Sequence, residues 1–332
     1  MNLRTLLLAT AMAVSFASPV LAQAVAELEG KVIGLSRTTG QNGTLKMFNT
    51  TVTLNSGTTY STPTRDGLTL GQIINCNKER MPGVDANPLG TFLGGTAIVT
   101  GTSSAASGVV AQTVFLEPAE NVLLGRVTSV PNADGTGSLS IEGTSVVLIG
   151  KKMGGQIPKP VAGETEIFNA CIPGKGVING FFIEIPASAL EKNTEAAAEG
   201  WWGNDGRFYA FLIEGEGTVE KQTLDVAILR ASCRNRGGAR GLEISIRGGV
   251  AAPANATGTV DFGVMTGTTF TNYNIPTAVV PDLVDPRYGT FDIDENVTGS
   301  AATTGCPAEL TVRYSPDKPL RTVTATAVSE NR

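Results

Sequence analysis

Leu28-Glu29-Gly30-Lys31-Val32-Ile33-Gly34-Leu35 and Leu123-Leu124-Gly125-Arg126-Val127-Thr128-Ser129-Val130 read as two versions of one strand, offset by 95 residues. Each places a glycine and a basic residue ahead of an alternating run, and each leads into a turn. The turns are Thr39-Gly40-Gln41-Asn42-Gly43 and Asn132-Ala133-Asp134-Gly135-Thr136-Gly137. Thr44-Leu45-Lys46-Met47 and Ser138-Leu139-Ser140-Ile141 then keep apolar residues at every second position, as one buried sheet face requires. Val52-Thr53-Leu54 and Val146-Val147-Leu148 continue the correspondence.

The two copies also end alike. Ala97-Ile98-Val99-Thr100-Gly101 and, after a turn, Gly108 to Phe115 close the first. Ala198-Glu199-Gly200-Trp201-Trp202, the turn Gly203-Asn204-Asp205-Gly206 and Arg207 to Glu214 close the second. An Asn-Asp-Gly turn between alternating strands signals a hairpin. Five or six short strands per copy, with glycine where a strand must bend, predict small closed barrels.

Outward from the repeat, Arg4, the apolar run Leu6 to Ala17 and Val20-Leu21-Ala22 have the form of a cleavable export leader over residues 1–22. A retained anchor is the alternative; it needs about 20 unbroken apolar residues, and Ser15, Ser18 and Pro19 interrupt this run. The expected mature chain is therefore exported, periplasmic or at the cell surface, and not an integral membrane protein. Without residues 1–22 its formal charge falls from −5 to −6, with 24 basic residues against 30 acidic. That balance argues against nucleic acid, whose binding depends on basic surface. The chain has no histidine, which removes Ser-His-Asp, Cys-His and His-containing zinc chemistry. No phosphate-binding loop, dinucleotide fingerprint or nucleophile elbow is present, and no cofactor is expected.

The shared order of glycine-basic-valine, turn, two alternating strands, a small-residue strand ending in glycine and a last apolar strand resembles the short repeated OB-like barrel modules of exported bacterial proteins of unknown function. The likeness covers roughly residues 25–216, about three fifths of the chain. It implies fold and export, and no activity travels with it. Both copies depart from a minimal module through insertions, near Cys76 to Gly95 and near Cys171 to Ala197. In the second, Pro186 to Lys192 and Glu195 to Ala198 gather helix formers, which predicts one or two helical turns. From Glu220 the spacing changes: runs at Leu224, Leu242, Val260, Leu310 and Thr322 read as strands of an immunoglobulin-like sandwich. The expected organisation is an all-β chain with barrel modules at 23–119 and 120–217 and a β-sandwich at 218–332.

Four cysteines allow three pairings. Cys76 and Cys171 share the 95-residue offset of Gly30 and Gly125, whereas Cys233 and Cys306 both fall in the third unit. The expected bonds are Cys76 to Cys171 and Cys233 to Cys306. Trp201 and Trp202 are the only tryptophans and are adjacent in a strand, so one faces inward and one outward. With Asn204, Asp205 and Tyr209 nearby, an outward ring suits a sugar or a protein partner; the plainer reading is one core tryptophan and one covered by the insertion. Arg230, Arg234, Arg236, Arg240 and Arg247 form the only dense basic cluster. It suits an anionic glycan or acidic partner, or is simply a solvated hairpin. Asp292, Asp294 and Glu295 offer oxygen ligands to calcium but lack the glycine and terminal Glu of an EF-hand loop; a solvated loop is the other reading. Glu214 and Glu216 suit glycosidase chemistry only inside a cleft. Repetition without a reactive constellation leads to the expectation of a non-enzymatic structural, surface-assembly or adhesin-like protein, with self or other envelope proteins as partners. A carbohydrate- or envelope-ligand-binding module is the alternative.

Overall fold

Two short alternating runs joined by a two-residue turn can bury one face inside a sheet that curls round them, and the chain does this twice. The structure, a computed structural model, describes residues 24–78, 81, 90–118, 121–133, 137–150, 169–236, 240–273, 275–298, 305–317, 321–328 and 330–331. The leader-like residues 1–22 and about half of the first insertion lie outside these residues, as do residues 151–168 ahead of the second.

The first unit contains β1 (Ala24–Thr39), β2 (Asn42–Met47), β3 (Thr50–Leu54), β4 (Thr59–Thr62), β5 (Arg65–Leu68), helix α1 (Leu70–Lys78), β6 (Thr96–Ser104) and β7 (Gly108–Glu117). β1 serves two neighbours: Ala24–Lys31 pair with β6, and the stretch from Val32 pairs with β2. The order β3-β2-β1-β6-β7 closes because β3 also pairs with β7 in parallel, Val52 opposite Val109. The second unit contains β8 (Asn121–Ser129), β9 (Leu139–Ile141), β10 (Thr144–Leu148), β11 (Gly176–Ile178), β12 (Glu184–Ile185), β13 (Glu195–Trp202) and β14 (Phe208–Gly215). Its order β10-β9-β8-β13-β14 closes in the same way, Val146 opposite Phe208 in parallel. Both are closed five-stranded barrels.

The repeat extends to irregularities. Ile33 and Thr128 are each an extra residue in the first strand of their barrel, and Gln112 and Phe211 in the last. Such bulges supply the bend that closure needs. Opposite them stand Gly101 and Gly200, where a Cβ would fall 2.1 Å from the Val110 carbonyl oxygen and 1.8 Å from that of Tyr209. Gly30 and Gly125 are glycines for a related reason. The hairpin residues Phe48 and Glu142, both at φ 48°, lay their side chains where a Cβ would stand.

The barrels share a core. Ile149, Cys171, Ile172, Trp201, Tyr209 and Phe211 of the second unit belong to one buried cluster with the interior of the first. The Cys76–Cys171 disulfide lies in this junction, joining α1 to the segment after β10. Thr62 and Arg65 donate to the carbonyls of Cys171 and Ala170, and Asn169 Oδ1 accepts from the Cys171 and Ile172 amides.

The last unit contains β15 (Asp225–Asn235), β16 (Leu242–Ala251), β17 (Gly258–Thr266), β18 (Thr269–Asn272), β19 (Thr277–Ala278), β20 (Val280–Pro281), β21 (Tyr288–Val297), β22 (Glu309–Pro316), β23 (Val323–Val328) and β24 (Glu330–Asn331). One sheet runs β20-β21-β16-β15-β24 and the other β18-β17-β22-β23, with β19 also on β17. Their inner faces bury Ile244, Ile246, Phe291 and Ile293 against Val260, Phe262, Val312 and Tyr314. A disulfide joins Cys233 on β15 to Cys306, ahead of β22. The second barrel and the sandwich also meet through apolar surface. Phe181 stacks on Tyr288 with ring centroids 4.7 Å apart, and the Tyr288 hydroxyl accepts from the Val219 amide.

One local expectation is corrected in part. Of the helix formers at 186–198, Ala187–Ala189 make a single 3-10 turn, within the one or two turns expected, whereas Glu195–Ala198 belong to β13. There β13 is sandwiched between β8 and β14, so ladder hydrogen bonds on both edges override alanine's helix propensity. Among the described residues the α-helix stands instead at Leu70–Lys78, burying Leu70, Ile73 and Cys76. Thr69 and Gln72 cap it reciprocally: Gln72 Oε1 accepts from the Thr69 amide at 2.8 Å, and Thr69 Oγ1 from the Gln72 amide at 3.3 Å.

Candidate functional site

The β13–β14 hairpin holds the aromatic groups singled out in the sequence, Trp201, Trp202 and Tyr209, with Asn204 and Asp205 at its turn. Directly opposed residues of an antiparallel pair project to one face. Trp201 therefore shares a side with Tyr209 and Trp202 with Phe208. The first side packs into the junction between the barrels, where Trp201 is 2% exposed. The second is the barrel interior, and at its end Trp202 caps Phe208 edge-on at 5.3 Å while remaining 47% exposed. A ligand approaching from solvent therefore meets Trp202 and not Trp201.

The turn beside it is internally satisfied. Asp205 Oδ2 accepts from Arg207 Nε and from the Tyr209 hydroxyl, both at 2.7 Å, and Arg207 Nη2 donates to that hydroxyl at 2.8 Å. The Tyr209 and Arg207 hydrogen bonds hold the Asp205 carboxyl down at about 2. Burial raises the Tyr209 phenol, which therefore stays a donor. Asp205 thus fixes the hairpin, and exposed Asn204 and Trp202 are the groups it presents outward.

The arginine cluster occupies the outer face of the β15-β16-β21 sheet, where it is interleaved with acids. Across the strands the rows are Arg230, Arg247, Asp292; then Ser232, Ser245, Asp294; then Arg234, Glu243, Asn296. Arg247 Nε lies 3.0 Å from Asp292 Oδ2, and Arg236 pairs with Glu243. Arg240 stands exposed at the loop end. The face is one of mixed charge and not a basic patch. The expected loop at Asp292–Asn296 is part of β21, another correction. Strand alternation sends Glu295 to the opposite face from Asp292 and Asp294, so the three carboxylates do not converge on one ion. Among the described residues no cluster of three or more metal-ligating side chains occurs.

Glu214 and Glu216 do line a cleft, about 380 Å³ in volume, together with Glu195. Its floor is Leu124, Ala196 and Ala197, so the lining offers carboxylates and alkyl surface but no hydroxyl, amide or ring to orient a sugar. Glu195 pairs with Arg126 at 3.5 Å, both largely exposed, a contact of small energetic weight. No helix among the described residues is long and apolar enough to cross a membrane. Comparison with family models, curated proteins and solved structures finds no match to this chain.

Proposed function

We propose that the chain is a non-enzymatic, exported scaffold whose three β units pack stiffly on one another and take part in surface assembly. The observation that carries this reading is continuity of the core. Side chains of the second barrel complete the buried cluster of the first, and Ala251 and Tyr288 of the sandwich complete that of the second. Independently moving domains meet through smaller, more polar contacts. The disulfide between the barrels adds a covalent tie. Export is supported by the leader-like residues 1–22 and by two disulfides, which persist in oxidising compartments.

The finer family readings have support in strand order. Each barrel runs first-second-third-fifth-fourth, with third and fifth parallel, as OB-type barrels do. In the sandwich, β15, β16, β21 and β20 take the places of immunoglobulin strands A, B, E and D, and β17, β22 and β23 those of C, F and G. The disulfide departs from that pattern by using the first strand.

Assembly needs exposed adhesive surface, and a candidate lies on the loop after β20. Leu283 and Val284 are 99% and 93% exposed, on a turn fixed by Asp282 Oδ1, which accepts from the Val284 and Asp285 amides. Light scattering on oxidised residues 23–332, over a hundredfold range of concentration, tests the reading. Mass is expected to grow with concentration and to fall back in a Leu283→Ser, Val284→Ser variant; a constant monomer mass overturns the assembly role.

A further inference from the structure

We propose that the groove between α1 and the β1–β2 hairpin of the first barrel binds an anionic oligosaccharide, independently of whether the chain assembles. The groove, about 600 Å³, is open to solvent and lies between the end of β1 and one side of α1. Its cations are Arg37 and Lys78, and no carboxylate lines it. Neither cation has an ion-pair partner among the described residues. That sets them apart from the arginines of the sandwich sheet, several of which face an acid across the strands.

The arginine is placed by the helix. Its Nη1 stands 3.0 Å from where a Cβ on Gly71 would be, so the guanidinium lies against the first turn of α1. That turn has no acidic residue, and Lys78 ends the same helix. At 1.5 Å per residue the two cationic positions are roughly 10 Å apart, a spacing for charges on separate sugar units rather than for one small ion. Asn75 adds a side-chain amide suited to sugar hydroxyls, while the Ser36 and Thr38 hydroxyls that also line the groove already bond to Thr44 Oγ1 and the Asn42 carbonyl. The groove has no aromatic ring on which a nucleobase would stack.

The test is calorimetric titration of the oxidised protein with a trigalacturonate, a sulfated trisaccharide, their neutral counterpart and a short oligothymidylate. The acidic sugars are expected to bind, to weaken as salt is raised, and to exceed the neutral sugar by about tenfold or more. Preference between the two names the anionic group. Arg37→Gln with Lys78→Gln is expected to remove that advantage without lowering Tm. Arg234→Gln with Arg236→Gln, the same change of net charge elsewhere, leaves it intact. No binding of either acidic sugar, equal binding by the groove variant, or tighter binding of the oligothymidylate each overturns the proposal.

Discussion

Asp205 shows what a single polar residue does in this fold. Its carboxylate takes hydrogen bonds from Tyr209 and Arg207 and titrates at about 2 rather than at the ordinary 3.8. The sign follows from linkage: a depressed folded-state pKa stabilises fully above the unfolded value and is lost as pH falls through the folded one. Wild type is therefore expected to lose more Tm than Asp205→Asn between about pH 4 and pH 2, and the two curves to run parallel above it, in melts recorded across pH. The alternation of Trp201 and Trp202 was legible in the sequence because strand parity is local. The bond network that occupies Asp205 was not, since it depends on which face Tyr209 takes after the turn. Nor was the acid neighbouring of the arginines, which is set by register between β15, β16 and β21 and by nothing within the Arg230–Arg247 stretch itself.

The two tryptophans differ in what their elements do with them. Trp201 fills the seam between barrels, so Trp201→Ala is expected to cost about 3–5 kcal/mol, the range for a large buried aromatic. Trp202→Ala, at a half-open barrel end, should cost well under that. Denaturant titration measures both, and acrylamide should quench the emission of a Trp201→Phe variant far more than that of Trp202→Phe. At this scale the reading of the sequence was strongest for repeated strands and weakest in the insertions. Thr69-Leu70-Gly71-Gln72 carries a capping-box signal for α1, yet the repeat draws attention away from it because the second copy has no counterpart helix among the described residues. The alanines of β13 mislead in the opposite direction. Small side chains favour a helix in isolation, but here Ala196 and Ala198 face the barrel interior, where there is little room.

The molecule as a whole should unfold as a unit, because the buried cluster of each barrel is completed by side chains of the unit that follows it. Calorimetry of the oxidised protein is expected to give one transition with matching calorimetric and van't Hoff enthalpies. Cys76→Ser with Cys171→Ser should lower stability by about 2–4 kcal/mol and Tyr288→Ala should split off a separate sandwich transition; two or three transitions in the wild type would show that the junctions are weak. The closure of each barrel also governs how the chain reaches this state. Hairpins such as β2–β3 join neighbours and form within microseconds. The seams Val52–Val109 and Val146–Phe208 join strands far apart in the chain, and topologies dominated by distant pairings fold in milliseconds to seconds. Until β7 and β14 arrive, each barrel is an open trough with its apolar lining uncovered, so the last strand of each module sets the interval during which a folding chain is exposed to its neighbours.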